Sequence, residues 1–193
     1  MLDTMIIAQQ KRKQNIAEYL LYLWQVEDLL RACRLDIDTV EHAVIARYDV
    51  DDEKRREIKE WYESLIKMME MEHVKERGHI RVCHNVLIRL NDLHRLLLAD
   101  ENRFADYHAD YYRTLPHIVQ LRATMPEEER PGELETCFNA LYGVMLLHMQ
   151  GKEISADTAA AIAQISHFIG LLAAYYKRDE EQPLFGDDIT DQQ

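Results

Sequence analysis

Residues 16 to 30 form the most apolar segment of the chain, and they limit how the chain can fold. The segment reads IAEYLLYLWQVEDLL, and its polar residues are Glu18, Gln25, Glu27 and Asp28. A helix of this composition has no wide face for solvent, so it belongs at the centre of a bundle or in a subunit interface. The segment therefore predicts a central hydrophobic helix near the N-terminus, which we expect to run from about residue 4 to Arg34.

Further helices are predicted from the spacing of apolar residues and from the residues that start or stop helices. They are expected at about 39–47 after a cap at Asp38, from Asp51 to about Arg77, from Gly78 to about Leu97, from a cap at Asp100 to a kink or end at Pro116, from Leu134 to a stop at Gly151, and from Ser155 to Arg178. No run of alternating residues is long enough to predict a sheet. The sequence thus predicts an all-α fold, an antiparallel bundle of six or seven helices around the first.

Composition predicts one globular domain followed by a short tail. The 193 residues include only six Gly and four Pro, with 47% hydrophobic and 30% charged residues, which is the balance of a globular helical protein. The net charge is -12, and half of it comes from the stretch 179–193, which has no Lys or Arg. We therefore expect a single domain over residues 1–178 and a disordered acidic tail over residues 179–193.

Several function classes are disfavoured by charge and composition. An acidic body repels phosphate backbones, so we expect no nucleic-acid partner. No stretch approaches the roughly 18 uninterrupted apolar residues of a membrane span, and the N-terminus lacks the order of charges typical of a secretory leader. The three cysteines are far apart in sequence, and reduced thiols are their simplest interpretation. The protein is therefore expected in the cytoplasm, away from membranes.

Glu27 is the first candidate for a functional side chain. A helical wheel places it inside the apolar face of the first helix, so the carboxylate needs a partner. Arg31 and Arg34 lie four and seven residues later on the same side, and their pairing with Glu27 would be purely structural. The functional alternative is an acid that faces a ligand.

Histidines supply the other candidates, since the chain has nine of them. Helical wheels place four on apolar faces, namely His79, His94, His108 and His148. Imidazoles that face one another in a bundle can bind zinc or iron, with Glu27 or Glu76 completing the ligands. The spacing is weak evidence, because both Glu-x-x-His pairs fall between Glu70 and His79, whereas di-metal bundles use separate helices. We predict no cofactor, and a divalent metal at these six residues is the alternative.

Known catalytic motifs are missing from the sequence. It contains no glycine-rich phosphate loop, no Gly-x-Ser-x-Gly elbow and no dinucleotide fingerprint. Cys83 and His84 are adjacent, which separates their side chains by about 100° on a helix and disfavours a thiolate pair. The sequence therefore argues against a hydrolase with a familiar nucleophile.

The segment QKRKQNIAEYLLYLWQVEDLLRAC, at positions 10 to 33, resembles the start of an uncharacterised family of all-helical proteins known mainly from Bacteroidetes. The resemblance extends over most of the chain, to about Arg178. It implies a bacterial cytoplasmic helical protein, and the family offers no functional residues to transfer.

Self-association is the function that the sequence favours. The first helix presents Tyr19, Tyr22, Trp24 and Leu29 away from its centre, and the last helix is rich in Ala. Aromatic and small residues are favoured where helices of two chains meet. We therefore predict a non-catalytic interaction protein that forms a homodimer through one of these helices. The alternative is a bundle that binds a metal or small ligand, either as a binding protein or as an enzyme.

Overall fold

The fold is all-α in a computed structural model that describes residues 4–185, with side chains described from Ala8 onward. Its helices are α1 (Thr4–Gln14), α2 (Ile16–Ala32), α3 (Ile37–Ala43), α4 (Asp52–Met71), α5 (Arg81–Ala99), α6 (Ala105–Ala123), α7 (Glu133–Met149) and α8 (Ala156–Glu181). Short 3₁₀ turns occupy Ile45–Arg47 and Glu127–Glu129. Over this range every regular element is helical, which confirms the predicted fold class. The arrangement of the helices around the first one stays a prediction.

The predicted first helix is two helices, so the predicted count of six or seven was wrong: the described residues form eight. Asn15 separates α1 from α2 with an extended backbone, at φ -155° and ψ 105°. Its side-chain oxygen accepts hydrogen bonds from the amides of Ala17 (3.0 Å) and Glu18 (3.2 Å). Asn15 therefore caps a new helix, a role for which asparagine is among the best residues.

Helix boundaries agree with the sequence where a local side chain sets them. Asp51 accepts from the amide of Lys54 (2.8 Å), and Ser155 accepts from the amide of Thr158 (3.1 Å). Gly151 has a φ of 69° just after α7, as its predicted role at the end of that helix requires.

Two other predicted boundaries were wrong. The cap of α3 is Asp36, whose carboxylate accepts from the amide of Thr39 (2.9 Å), and not Asp38. Asp100 accepts from the amide of Arg103 (3.1 Å) in a turn that precedes α6. Pro116 lies inside α6, so of its two predicted effects the helix end is wrong and the kink stays a prediction.

The segment 72–80 between α4 and α5 is non-helical, although a helix was predicted to reach about Arg77. α4 ends at Met71, and His73 takes a left-handed conformation with a φ of 59°. Gly78 is also left-handed, with a φ of 87°. Two such residues within one short segment interrupt a helix, because that conformation reverses the local path of the chain.

The helices group into two compact units, one from Met1 to Val86 and the other from Leu87 onward. In the first unit α2 supplies eight buried residues, and α1 and α3 both contact α4. In the second unit α6 and α7 both pack on α8. α6 and α8 run antiparallel, because Asp106 meets Tyr175 whereas Asp110, further along α6, meets the earlier His167.

The segment after Arg178, predicted to be disordered, is ordered as far as the structure describes it. α8 continues to Glu181, and the amide of Leu184 donates to Asp179 (2.7 Å). The ring of Phe185 lies against Phe104, with centroids 5.5 Å apart. The rest of the predicted tail, 186–193, lies outside the described residues.

Candidate functional site

Two of the six residues singled out from the sequence meet in the first unit. α2 holds Glu27 with only 2% of its surface exposed, and His79 lies in the segment 72–80. The Nδ1 atom of His79 is 2.5 Å from Oε2 of Glu27. A carboxylate beside an imidazole fixes the ring orientation and its tautomer, as in many acid–base and metal sites.

Glu27 also binds the beginning of α5. Its Oε1 accepts from the amide of Ile80 (2.8 Å) and from the thiol of Cys83 (3.8 Å). A negative charge is favourable at the N-terminal end of a helix, where the amides have no partner within the helix. Glu27 therefore joins α2 to α5 and satisfies an amide that α5 itself leaves free.

The predicted pairing of Glu27 with Arg31 and Arg34 was wrong. Arg31 binds Asp28 (2.8 Å), the carbonyl of Val74 (3.1 Å) and the carbonyl of Gly78. Arg34 is exposed and has a left-handed backbone with a φ of 57°. Because two of the bonds of Arg31 go to carbonyls of the 72–80 segment, this guanidinium fastens the segment that carries His79.

Trp24 forms one wall of the same cluster. Its ring stacks on His79 with centroids 4.2 Å apart and planes 10° apart, and Trp24 is 1% exposed. Trp24 was predicted to belong to a subunit interface, and its burial shows that this was wrong. One quarter of the His79 side chain is exposed, so the ring can meet a solute.

Cys83 adds no nucleophile to this cluster. Burial, the charge of Glu27 and the hydrogen bond to Glu27 all raise the pKa of the Cys83 thiol. A thiol with a raised pKa stays protonated near neutral pH, and the thiolate is the reactive form. The cluster thus offers an oriented imidazole beside a buried acid, and its geometry serves equally to hold α2, the 72–80 segment and α5 together.

The other four predicted residues have separate surroundings. In the second unit, Nδ1 of His94 is 2.6 Å from the hydroxyl of Tyr107, and Nε2 of His108 is 3.2 Å from the carbonyl of Leu97. Burial lowers the pKa of His94. Glu76 is exposed in a non-helical segment, and His148 is exposed on α7, so their predicted inward positions were wrong. Within the described part of the chain, no three His, Cys, Asp or Glu residues are grouped so as to hold a metal ion.

A second buried acid was missed by sequence reasoning. Asp110 on α6 is 1% exposed and binds Arg113 (2.9 Å), Gln164 (3.1 Å) and His167 (2.9 Å). Gln164 also donates to the hydroxyl of Thr114 (3.1 Å). This Asp110 cluster joins α6 to α8 through charge-assisted hydrogen bonds. His167 is 67% exposed, so its ring reaches solvent while its Nδ1 atom contacts the buried acid.

A groove of about 580 Å³ lies between the end of α6 and the beginning of α8. It is lined by apolar side chains, including Leu121 and Ile162, and by polar ones, including His117, Gln120 and Asp157. The volume is within the range of small-molecule sites, although the groove holds no cluster of titratable groups that would indicate a reaction.

The solvent side of α8 is unusual because it carries small residues in place of charged ones. Six exposed residues recur at spacings of three or four: Ala156, Ala159, Ala163, Ser166, Gly170 and Ala174. We call these six the small-residue face. No Lys, Arg, Asp or Glu occurs between Asp157 and Lys177. The opposite side of α8 is buried and includes Ile165, Phe168 and Leu172.

α8 is also long and apolar enough to cross a membrane, by length and composition alone. It is the helix of the described chain that passes this test, and core helices of soluble proteins pass it too. One third of its apolar window is buried, and α8 packs against α6 and α7.

Comparison with known proteins places the chain in a family without assigning an activity. No curated protein and no solved structure matches it. A family model described as a domain of unknown function, DUF4924, matches residues 5–183. That range includes both clusters and the small-residue face, so all of these features lie within the family domain. The chain therefore belongs to the DUF4924 family, whose domain has no known function.

Proposed function

We propose that this protein is a non-catalytic interaction protein that forms a homodimer through α8. Two copies pack their small-residue faces together, with the two α8 helices antiparallel. Small residues at spacings of three and four let helix backbones approach closely, which gives many van der Waals contacts over a narrow strip. A closed two-fold pair is also the commonest form of soluble oligomer.

Gly170 is the observation that carries this proposal. It lies in the middle of α8, where glycine destabilises a helix by about 0.5–1 kcal/mol relative to alanine. Nothing lies within 4 Å of the position that its Cβ would take, and its φ is not positive. A single copy therefore has room for alanine at this position, whereas a second helix in close contact gives a reason for glycine.

An antiparallel pair can align these residues. Pairing Ala163 of one copy with Ser166 of the other sets Ala159 opposite Gly170, and Ala156 then lies one residue out of register with Ala174.

The proposed location is the cytoplasm of a bacterial cell. Cys33, Cys83 and Cys137 are all buried and free, as expected of a protein from a reducing compartment.

The proposal is tested by sedimentation velocity, which compares the mass of the Ala163→Arg variant with that of a matched control variant, Ala123→Arg. Ala163 is exposed at the centre of the small-residue face, whereas Ala123 is exposed at the end of α6 and lies outside it. We expect the wild type and Ala123→Arg to be dimers at micromolar concentration, and Ala163→Arg to be a monomer with an unchanged circular dichroism spectrum. A wild-type monomer, or a dimer that tolerates Ala163→Arg, would contradict the proposal.

Association with membranes is the competing outcome for the same helix. Flotation of the wild-type protein with phosphatidylcholine vesicles distinguishes the two. We expect the protein to remain in the soluble fraction, and co-flotation that Ala163→Arg abolishes would overturn the dimer proposal in favour of a lipid-binding face.

A further inference from the structure

The groove between the end of α6 and the beginning of α8 has the size and the lining of a small-molecule site. Its volume of about 580 Å³ lies within the usual range of such sites, and both of its walls belong to the second unit. The described residues that line it are all distinct from the small-residue face. Binding in the groove is therefore independent of the proposed dimer.

Hydrocarbon side chains from both helices line this groove. Leu121 comes from α6, and Ile162 and Ile165 come from α8. Ile165 is fully buried, whereas Leu121 and Ile162 are half-buried. A bound molecule with a hydrocarbon part therefore removes apolar surface of Leu121 and Ile162 from water, which is favourable. The groove thus favours a ligand that is apolar over part of its length.

Three polar side chains along the groove have no partner elsewhere in the described part of the chain. They are those of Asp157, His117 and Gln120, and none of them forms a hydrogen bond or ion pair with another described residue. A carboxylate and an amide oxygen accept hydrogen bonds, and so does the unprotonated nitrogen of a neutral imidazole. An ammonium group carries several N–H donors and no acceptor, so it matches the acceptors that the groove supplies.

Asp157 gives the groove a negative charge. It is the carboxylate among the described lining residues, and no Lys or Arg lines the groove beside it. Ser155 already caps α8 by accepting from the amide of Thr158, so Asp157 is not needed as the cap. A cation is therefore attracted to the groove near Asp157, and an anion of the same size is repelled.

We propose that the groove binds an amphipathic amine, a molecule with a protonated ammonium head and a hydrocarbon tail. The ammonium pairs with Asp157 and donates hydrogen bonds to His117 and Gln120. The tail lies along Leu121 and Ile162. The charge-assisted bond to the carboxylate orients the ligand, while the tail supplies the apolar contact area typical of small-molecule sites.

The experiment measures binding of octylammonium to the purified full-length protein by isothermal titration calorimetry, below the concentration at which micelles form. Octanoate is the matched probe, because it has a hydrocarbon chain of nearly the same length and the opposite charge. We expect one octylammonium per chain, bound about fivefold more tightly than octanoate, which is the ratio that one partly exposed ion pair supplies.

Three variants locate the site. Asp157→Asn keeps the size of the side chain and removes its charge, and we expect it to bind octylammonium about fivefold more weakly than the wild type and octanoate no more weakly. Because a negative charge is favourable in the first turn of α8, the thermal midpoint is measured beside binding to show that this variant is folded. Ala161→Trp fills the groove and should lose both probes. The matched control is Glu153→Gln, which alters an exposed acid outside the groove and should change neither affinity.

The outcomes separate this proposal from the dimer. Equal affinity for octylammonium and octanoate overturns it, and so does a folded wild type that binds no octylammonium. Binding of octylammonium that Asp157→Asn or Ala161→Trp leaves unchanged also overturns it. Ala163→Arg alters the small-residue face and should bind octylammonium as the wild type does, so failure of the dimer leaves the groove proposal standing.

Discussion

Glu27 is predicted to stabilise the first unit by joining α2 to the beginning of α5, and removing its carboxylate measures this directly. Glu27→Ala leaves the buried amide of Ile80 without its acceptor, which costs about 1–3 kcal/mol, and removes a buried side chain as well. The bond to His79 is lost too. We therefore expect the free energy of unfolding to fall by about 3 kcal/mol.

Glu27→Gln separates the hydrogen bond from the charge. The amide oxygen of glutamine can still accept from Ile80, and the His79 ring can accept from the amide nitrogen in its other tautomer. We expect a loss of about 1 kcal/mol, clearly smaller than for alanine. Both variants are measured by urea denaturation, with intrinsic tryptophan fluorescence reporting Trp24 beside His79.

The matched control is Glu18→Gln on the same helix. Glu18 is 57% exposed and binds Lys11 (2.7 Å), so its loss should cost less than about 0.5 kcal/mol. If Glu27→Ala were as stable as the wild type, the structural role assigned to Glu27 would be refuted. The buried acid would then be better explained as a functional group kept at the expense of stability.

Three further predictions concern the rest of the chain. Cys83 and Cys137 should resist thiol reagents at pH 8 in the native protein and react after unfolding. The reason is that burial raises the pKa of both thiols, and it raises the pKa of Cys137 to about 12. Rapid labelling of the native protein would contradict this prediction. Phe185→Ala should lower the free energy of unfolding by about 1 kcal/mol through loss of its contact with Phe104, and an unchanged denaturation midpoint would show that the contact contributes nothing. Burial lowers the pKa of His94 from its ordinary 6.5, so that, as the pH falls, the unfolded state binds a proton before the folded state does. The stability that the folded protein has above pH 6.5 should therefore be lost as the pH falls below 6.5. His94→Leu should remove this part of the pH dependence of unfolding, and an unchanged pH profile would refute the assignment to His94.

Features fixed by neighbouring residues in the chain were predictable from the sequence. The caps at Asp51 and Ser155 and the stop at Gly151 each depend on contacts within a few residues. The burial of Glu27 was also predictable, since a helical wheel needs only the local sequence. The same method missed Asn15, because the apolar periodicity continues through it.

The partners of Glu27 were not predictable, because they depend on a segment that is distant in sequence. His79 and Ile80 are more than fifty residues from Glu27, and the break at 72–80 that brings them near was expected to be helical. Arg31, the nearer candidate, binds carbonyls of that same segment instead. Spacing along one helix therefore showed that Glu27 needed a partner, without showing which one.

Asp110 was missed because His108 was the residue singled out on this helix. The buried residues of α6 are Tyr107, His108, Asp110, Thr114 and Ile118. Asp110 lies three residues after Tyr107 and four residues before Thr114, which is the spacing of one face of a helix. That spacing is the signal that would have identified Asp110 as a buried acid. A helix with apolar residues on two faces gives a weak periodicity, and the packing of α8 decides between them.

The mass of the native protein tests the central claim of this account most directly. Light scattering of the wild type at micromolar concentration should give twice the chain mass of 22.8 kDa, and Gly170→Arg should reduce it to that of one chain. A wild-type mass of 22.8 kDa at every concentration would contradict the account, and the small-residue face of α8 would then be an ordinary solvent-exposed surface.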